Sequence, residues 1–386
     1  MKTLFFSIPS GSHKRAYFQP LYPYIKNDVD LKIIAITPAA KYPKILKEFE
    51  SGDRLIFKTF DESLFIKFKP NLVTASTCGL DEHDKPILES AKRHQIPTLV
   101  YVESWDNVWK MARRKSETIS VDRVLVWNQM MKNQLTSELG YQSEKISLAG
   151  SARLDNLVLN RDLLSKEELF SKLKLDPNKP LIHIATVELY DISYVVKIIS
   201  QAKKSGKINK ESQIYCSVHP GGEIKNHQWY ADKYGVDVLA YSFGRIDNSR
   251  LKEFAYNPSL SDMGLLYSLF KHSDVLINFS STVAIESMLA DTPVINVMFG
   301  KPFDRRHWRK SAVYRDFKEH YQDIVNSDGT WVVKNKKELI KAVKTYLENP
   351  CLHRYGRLKT TEKIITFLDG KCSQRIYQEI KNYVSK

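Results

Sequence analysis

The sequence has few cysteines, no long apolar run and none of several common catalytic patterns. Its four cysteines are scattered over 386 residues without a CxxC pair, so neither a disulfide framework nor a zinc site is indicated. Apolar runs reach only about ten residues, whereas a bilayer-spanning helix needs about 20. The P-loop, GxGxxG after the first strand, HExxH and GxSxG are all missing, which argues against P-loop enzymes, dinucleotide dehydrogenases, zinc proteases and serine hydrolases. No cofactor or obligatory metal is expected.

Positive charge is what the chain has in excess. It contains 59 Lys and Arg against 44 Asp and Glu, a net +15, in an otherwise ordinary globular composition. About a third of this surplus lies in Lys301–Lys318, which holds seven basic and two acidic residues. Arg305 or Arg306 is a candidate for a donor phosphate, and the rest suits an anionic membrane surface. A solvated basic face and a nucleic-acid-binding protein are the alternatives. Since no nucleic-acid recognition motif occurs, no such partner is expected.

Short apolar strands alternate with helical segments along the whole chain, which predicts an α/β fold with parallel sheets covered on both faces. The first group of predicted strands is Thr3–Ile8, Leu31–Ile36, Arg54–Phe57, Leu72–Ser76, Pro97–Glu103, Arg123–Trp127 and Ile146–Ala149. The second is Leu181–Ala185, Gln213–Val218, Val236–Leu239, Val275–Asn278, Pro293–Val297 and Trp331–Val333. Helices are predicted at Arg161–Leu175 and, as one element, at Thr361–Val384. We therefore expect two Rossmann-like, doubly wound domains, residues 1–160 and 161–386, which face a central ligand-binding cleft.

The most informative stretch is the end of a predicted strand in the second domain. The apolar run stops at Phe279, and Ser280, Ser281 and Thr282 then begin a helix. Small hydroxyls and the unpaired N–H groups of a helix start favour an anion, most often a phosphate or diphosphate. Glu286, about one and a half turns later, is a candidate for binding a ribose diol. The alternative is a plain helix N-cap without a ligand.

A second strand of the same domain ends in His219, Pro220, Gly221 and Gly222. A histidine at a sharp exit from a strand can point at a ligand, and the two glycines let that ligand approach the backbone. A structural histidine is the alternative. Because His219 and Ser280 both follow strands of one predicted sheet, we expect them at the same crevice.

The first domain offers candidates for a general base. Glu103 and Asp106 follow the predicted strand Pro97–Glu103, where a carboxylate can deprotonate an acceptor hydroxyl. Trp105 or Trp109 is a candidate for stacking on a sugar or a base. His13, in the loop Pro9-Ser-Gly-Ser-His-Lys-Arg15, is a further possible base. A helix-capping Asp106, packed tryptophans and a plain turn at His13 are the alternatives.

Four stretches resemble a known family. They are Glu103-Ser-Trp-Asp-Asn107, Asp122-Arg-Val-Leu-Val-Trp-Asn128 with Ile146-Ser-Leu-Ala-Gly-Ser-Ala-Arg-Leu-Asp155, Val218-His-Pro220, and Phe279-Ser-Ser-Thr-Val-Ala-Ile-Glu286. Together they resemble the GT-B glycosyltransferases of bacterial surface-polysaccharide synthesis. His-Pro and Ser-Ser pairs of this kind are similar to those of sialyltransferases and Kdo transferases, and also to those of CDP-glycerol glycerophosphotransferases. The Ser-Ser-Thr…Glu helix start is shared more loosely with UDP-GlcNAc 2-epimerases.

The resemblance implies that the second domain binds the donor and the first binds the acceptor, with the C-terminal helix crossing back. His219, Pro220 and Ser280–Thr282 would then hold the nucleotide and phosphates, and Glu286 the ribose. Asp106 or Glu103 would be the base. The implied activity is metal-independent, inverting transfer of a sugar from a CMP- or UDP-linked donor to a glycan or lipid-linked acceptor. The alternatives are a CDP-glycerol-type glycerophosphotransferase and an epimerase-like enzyme. A cytoplasmic location is expected, with peripheral contact to the inner face of the membrane left open.

Overall fold

The computed structural model describes residues 1–38, 45–49, 51–77, 83–114, 117–187, 190–220, 222, 224–234, 238–244 and 256–385. The chain divides into two compact units. Unit 1 comprises Met1–Leu159 and Ile364–Lys386, and unit 2 comprises Asn160–Lys363. The end of the chain therefore belongs to the same unit as its beginning.

Unit 1 contains a parallel sheet. Among its described residues the sheet has seven strands in the order β3-β2-β1-β4-β5-β8-β9. In chain order these are β1 (Lys2–Ser7), β2 (Leu31–Ile36), β3 (Leu55–Lys58), β4 (Leu72–Ser76), β5 (Thr98–Tyr101), β8 (Arg123–Val126) and β9 (Ile146–Leu148), while β6 (Ala112–Arg114) and β7 (Glu117–Thr118) form a separate antiparallel pair. Every residue of β4 is buried, as is every residue of β1 after Lys2. Strands that are covered by helices on both faces are buried along their length in this way.

The α-helices of unit 1 are mostly short. They are α1 (Gly11–His13), α2 (Gln19–Asn27), α3 (Ser63–Phe68), α4 (Asp84–Arg93), α5 (Gln129–Ser137), α6 (Asp155–Val158) and, at the end of the chain, α17 (Cys372–Val384). A π-helical segment, Lys14–Phe18, joins α1 to α2. Such segments are rare and occur frequently at functional sites.

Unit 2 repeats the architecture. Its described strands are β10 (Leu181–Ala185), β11 (Gln213–Ser217), β12 (Val238–Tyr241), β13 (Val275–Asn278), β14 (Val294–Val297) and β15 (Thr330–Val333), all parallel, in the order β12-β11-β10-β13-β14-β15. The helices are α7 (Lys166–Leu173), α8 (Ser193–Lys204), α9 (Ile224–Tyr234), α10 (Leu260–His272), α11 (Val283–Leu289), α12 (Arg305–Lys310), α13 (Ala312–Asp316), α14 (Gln322–Val325), α15 (Lys336–Glu348) and α16 (Arg354–Ile365). The expected fold of two doubly wound parallel-sheet domains is confirmed.

The strand order places a topological switch point in each unit. In unit 1 the chain moves outward from β1 to β3 and then resumes on the other side of β1 with β4. In unit 2 the same reversal occurs between β10 and β13. Ligands of open α/β sheets bind outside the carboxyl ends of the strands at such reversals. The fold thus marks one binding position in each unit.

The single helix predicted at Thr361–Val384 is wrong, because two helices, α16 and α17, occupy that region. Thr366 and Gly370 have φ values of 66° and 65°, and residues in the left-handed region end a helix. The helix predicted at Arg161–Leu175 is shorter as well, since Ser165 and Glu168 form a capping box that begins α7 at Lys166.

Helix α17 is fixed to the rest of unit 1 at both of its ends. The Asp155 carboxylate accepts the backbone N–H groups of Cys372 at 3.0 Å and Ser373 at 2.7 Å, which caps the start of the helix. Near the end of the helix, the Lys381 ammonium lies 2.7 Å from the Asp28 carboxylate. The helix is therefore an integral part of unit 1.

Candidate functional site

In unit 1, buried polar side chains gather at the carboxyl edge of the sheet. Ser7 ends β1, Ser76 ends β4, Glu103 follows β5 by two residues, and Asp84 begins α4. The Ser7 hydroxyl donates to the Asp84 carboxylate. Ser7, Ser76 and Asp84 are at most 1% exposed, and Glu103 is 5% exposed. Two carboxyl groups thus lie out of water at the unit 1 switch point.

Asp84 has an unusual affinity for its proton. Burial raises its pKa from 3.8 to about 7, and the negative charge of Glu103 adds to this effect. Hydrogen bonds from the Ser7 hydroxyl and the Ser76 backbone N–H oppose the shift without cancelling it. Desolvation disfavours the charged form of a carboxyl group, so Asp84 exchanges its proton near neutral pH.

His13 lies beside this carboxyl group cluster. The imidazole is 6% exposed, its Nδ1 is 2.6 Å from the Ser10 hydroxyl, and its Nε2 is 3.8 Å from Glu103 Oε1. The Glu103 backbone N–H is in turn bound to the Thr77 hydroxyl at 3.4 Å. A carboxylate at this distance stabilises an imidazolium, so the pair is suited to accept a proton from a reacting hydroxyl. The structure thereby brings together two of the three predicted base candidates.

Asp106, the third candidate, is half-buried in a turn that the Asn107 N–H closes on the Ser104 carbonyl at 3.0 Å. The two tryptophans next to it differ in exposure. Trp105 is 5% exposed, whereas Trp109 is 65% exposed. Of this pair, Trp109 is the one that presents an indole face for stacking.

In unit 2, the predicted anion-binding turn follows β13. Ser280, Ser281 and Thr282 are half-buried, and α11 begins directly after them at Val283. The Ser280 hydroxyl donates to the Val313 carbonyl at 3.2 Å. Thr282 stands at the N-cap position but makes no side-chain capping bond. Thr282 therefore does not cap α11 through its side chain, and the role of the turn at a phosphate stays a prediction.

Three buried polar side chains, Asn278, Asn296 and Tyr321, form a hydrogen-bonded triangle next to this turn. The Asn278 side-chain amide donates to Tyr321 Oη at 3.0 Å and to Asn296 Oδ1 at 3.2 Å, and Tyr321 Oη donates to the same Asn296 oxygen at 3.0 Å. Tyr321 Oη also accepts the backbone N–H of Ser281. All three side chains of the triangle are fully buried, and burial raises the pKa of the Tyr321 phenol above its ordinary value. The triangle thus fixes the backbone of the Ser280–Thr282 turn.

His219 lies at the same edge of the sheet. Its backbone N–H donates to the Thr186 hydroxyl at 2.7 Å, and its carbonyl accepts the Gly222 N–H at 2.7 Å. A Cβ added to Gly222 would lie 3.1 Å from that carbonyl, so a larger residue would fit only with a small shift of the turn. Since β10 lies between β11 and β13, the ends of three adjacent strands carry His219, Thr186 and Ser280. Gly221 lies outside the described residues, and Pro220 is buried.

The remaining two donor-site candidates differ in exposure. Glu286 is fully buried in α11, and Arg305 is exposed at the first position of α12. Asp304, just before Arg305, accepts a hydrogen bond from Tyr190 Oη at 2.9 Å. Their roles at a ribose and at a phosphate stay predictions.

Two kinds of feature are absent from the residues that the structure describes. No group of three His, Cys, Asp or Glu side chains in that part of the chain has the arrangement of a metal site. None of its helices is long and apolar enough to cross a bilayer.

Sequence reasoning missed Asp84, Thr186, Tyr321 and the two asparagines beneath the Ser280–Thr282 turn. Thr186 and Asn278 each close an apolar strand, a pattern that marked His219 and Ser280 and could have marked these residues too. Asp84 and Tyr321 carry no such local signal, because they reach their sites only through the tertiary fold.

A comparison with protein families matches residues 79–382 to the family of CDP-glycerol:poly(glycerophosphate) glycerophosphotransferases. The chain belongs to this family. The glycerophosphotransferase match includes Asp84, Glu103, His219 and the Ser280–Thr282 turn, whereas His13 precedes the matched segment. The predicted resemblance to surface-polysaccharide GT-B enzymes is confirmed, and the chain is a glycosyltransferase-type enzyme.

Solved structures share the fold at low sequence identity. The wall teichoic acid polymerase TagF matches with a TM-score of 0.63 and 15% identity, over 100% of this chain and 89% of that one. UDP-GlcNAc 2-epimerase from Neisseria meningitidis, solved with UDP-GlcNAc, matches with a TM-score of 0.65 and 14% identity, over 99% and 100%. A glycosyltransferase from Rickettsia africae matches with a TM-score of 0.57 and 13% identity, over 100% and 99%. A search of curated proteins gives no match.

Proposed function

We propose that this protein transfers a phosphopolyol, glycerol phosphate in the first instance, from a CDP-linked donor to a hydroxyl of a glycan or lipid-linked acceptor. The family match over residues 79–382 is the observation that carries this proposal. It makes a CDP-linked polyol the preferred donor over the CMP- or UDP-linked sugar that the motifs favoured.

Unit 2 takes the donor in this proposal. The Ser280–Thr282 turn holds the diphosphate through hydroxyls and backbone N–H groups, and His219 and Arg305 supply positive charge or further donors to the same oxygens. Glu286 binds the ribose, while Pro220 and Gly221 shape the His219 turn. Groups preset in this way stabilise the charge that grows on the leaving nucleotide, which is usually the largest contribution to such a reaction.

Unit 1 takes the acceptor and its proton. His13, with Glu103 at 3.8 Å, is the preferred base, and Asp106 is the alternative. The acceptor oxygen attacks the phosphorus that bears the polyol and passes its proton to the imidazole. The bond from that phosphorus to the bridging oxygen breaks, and CMP leaves with the bonding pair. Glu103 stabilises the imidazolium that forms.

Inverting transfer of a sugar from a CMP- or UDP-linked donor is the second candidate. Its support is the similarity of His219-Pro220 and Ser280-Ser281 to the His-Pro and Ser-Ser pairs of sialyltransferases and Kdo transferases. In that reaction the acceptor oxygen attacks the anomeric carbon instead of phosphorus. An epimerase-like activity, which needs no acceptor, has only the shared fold in its support.

A panel of donors tests the proposal. Purified protein is incubated with CDP-glycerol, a CMP-sugar, UDP-GlcNAc or GDP-mannose, with and without a glycerol-phosphate primer, and product and released nucleotide are separated by chromatography. We expect primer-dependent release of CMP from CDP-glycerol, with the donor's polyol-bearing phosphorus appearing in the product. If no donor raises the melting temperature and none yields a product, the proposal is wrong.

Matched variants test the assigned roles. His13→Gln is expected to lower the rate by about 100-fold or more, while His94→Gln, at a histidine with 36% of its side chain exposed, should leave the rate unchanged. Ser281→Ala should weaken donor binding, and Ser261→Ala, at an exposed serine of α10, should not. Equal rates for His13→Gln and His94→Gln would remove His13 as the base.

A further inference from the structure

Phe303 is exposed in a way that the fold of unit 2 does not explain. Its side chain is 109% exposed, more than any other large apolar residue that the structure describes. Its φ is 64°, in the left-handed region that a bulky residue enters only at an energetic cost. At this exposure the ring gains no packing on the described residues that would offset the cost. An exposed phenyl held in this conformation indicates a contact with something outside the chain.

A basic helix face follows directly after Phe303. Trp308 anchors α12, because it is 6% exposed and packs on Tyr190 with 5.1 Å between ring centroids. At about 100° per residue, Arg306 and Lys310 lie on the side of the helix opposite Trp308 and Arg309 lies on its flank. All three are exposed.

The ionic surroundings of these three cations leave their charge exposed. Across the residues that the structure describes, no carboxylate forms an ion pair with Arg306, Arg309 or Lys310. The nearest acid in sequence, Asp304, is bound to Tyr190 at 2.9 Å and lies 3.4 Å from His307. The face therefore retains its positive charge next to the exposed phenyl.

We infer that Phe303, Arg306, Arg309 and Lys310, here named the Phe303 surface, dock unit 2 onto an anionic phospholipid bilayer. The three cations lie against anionic headgroups, which attract basic residues at a membrane surface. The phenyl enters the boundary between headgroups and acyl chains, where aromatic side chains are favoured. This docking goes beyond the transfer reaction and does not depend on the identity of the donor.

The phenyl is what favours a bilayer over a soluble polyanion. A polyphosphate or an anionic polymer offers the three cations the same charge, but it has no apolar region for Phe303. A lipid surface satisfies both halves of the Phe303 surface.

Vesicle co-sedimentation tests the inference without donor or acceptor, so its outcome is separate from that of the proposed function. The 386-residue protein is mixed with phosphatidylcholine vesicles that contain either no phosphatidylserine or 30% phosphatidylserine, at 50 and 150 mM NaCl. Three variants are compared with wild type: Phe303→Ala, the triple Arg306→Gln/Arg309→Gln/Lys310→Gln, and a matched triple control. The control is Lys336→Gln/Lys337→Gln/Lys341→Gln, which removes the same charge from exposed positions of α15. Leu260→Ala, at a side chain that is 52% exposed, is the apolar control.

Wild type is expected to bind the phosphatidylserine vesicles and to bind pure phosphatidylcholine much more weakly. The Phe303-surface triple should bind about 100-fold more weakly, since each basic residue contributes roughly fivefold. Phe303→Ala should bind about tenfold more weakly, by a factor that stays the same at both salt concentrations, whereas the charge effect shrinks with salt. Both controls should remain within about twofold of wild type.

Two results would overturn the inference. One is a loss in the matched control as large as in the Phe303-surface triple, which would reduce the effect to net charge. The other is a wild-type protein that binds soluble polyphosphate but not vesicles, with polyphosphate binding lost in the triple variant and kept in Phe303→Ala. That result would make a polyanion the partner. Circular dichroism of each variant establishes that a loss of binding is not a loss of fold.

Discussion

The buried carboxyl of Asp84 makes the stability of this protein depend on pH in a way that one isosteric substitution removes. In the folded protein its pKa is raised to about 7 by burial and by Glu103, while in the unfolded chain it is close to the ordinary value. Between these two values the unfolded chain releases this proton and the folded protein retains it. The contribution of Asp84 to stability is therefore complete below about pH 4 and is lost as the pH rises to about 7.

The magnitude follows from the two pKa values. Each pH unit between them corresponds to 1.36 kcal/mol, so the complete effect is about 4 kcal/mol. Asp84→Asn keeps the acceptor for the Ser7 hydroxyl and has no proton to lose. Relative to wild type, the variant should gain roughly 3 kcal/mol in free energy of unfolding between pH 5 and pH 8.

Urea denaturation at a series of pH values between 4 and 9 measures this difference. The exposed residue Asp53 supplies the control, and Asp53→Asn should track the wild-type curve throughout. If the difference between Asp84→Asn and wild type does not change from pH 5 to pH 8, then Asp84 is ionised in the folded protein at neutral pH and the reasoning fails.

Three further outcomes are expected. Tyr321→Phe removes the hydroxyl that joins Asn278 and Asn296 beneath the Ser280–Thr282 turn. This should lower the free energy of unfolding by about 1–3 kcal/mol and raise the donor KM more than it lowers kcat. An unchanged KM would argue against a link between this hydroxyl and the donor. Arg357→Met should lower the free energy of unfolding by roughly 3 kcal/mol in urea titrations, because this guanidinium, 1% exposed, donates to the backbone carbonyls of Leu352 and Pro350. A urea titration of Arg357→Met that coincides with the wild-type titration would contradict this structural role. Incubation with EDTA should leave the transfer rate unchanged, and a loss that Mg²⁺ restores would overturn the prediction of a metal-independent reaction.

The sequence sufficed for the fold because its strands are buried on both faces. Runs such as Leu72–Ser76 and Leu181–Ala185 are mostly apolar, and every residue in them is buried, as expected of a parallel sheet between two helical layers. The same local pattern marks where each strand stops, and so it correctly placed His219 and Ser280 at one edge of the unit 2 sheet.

What sequence could not show is which polar groups meet from distant parts of the chain. The approach of His13 to Glu103, and the hydrogen bond from Ser7 to Asp84, join residues that are far apart in sequence. The position of Tyr321 under Ser281 is likewise set by the packing of unit 2. Helical periodicity also continues across Thr366–Gly370, so it missed the break that a few backbone angles impose there.

The return of the chain to unit 1 determines the order in which the two units can fold during synthesis. Unit 2 is continuous, Asn160–Lys363, and its whole sequence has been made while unit 1 still lacks α17. Asp28 and Asp155 gain their partners, Lys381 and the N–H of Cys372, only after the last segment of the chain has left the ribosome. The unit that is begun first is therefore completed last, and a chain that stops before Cys372 leaves the earlier half of the protein unfinished.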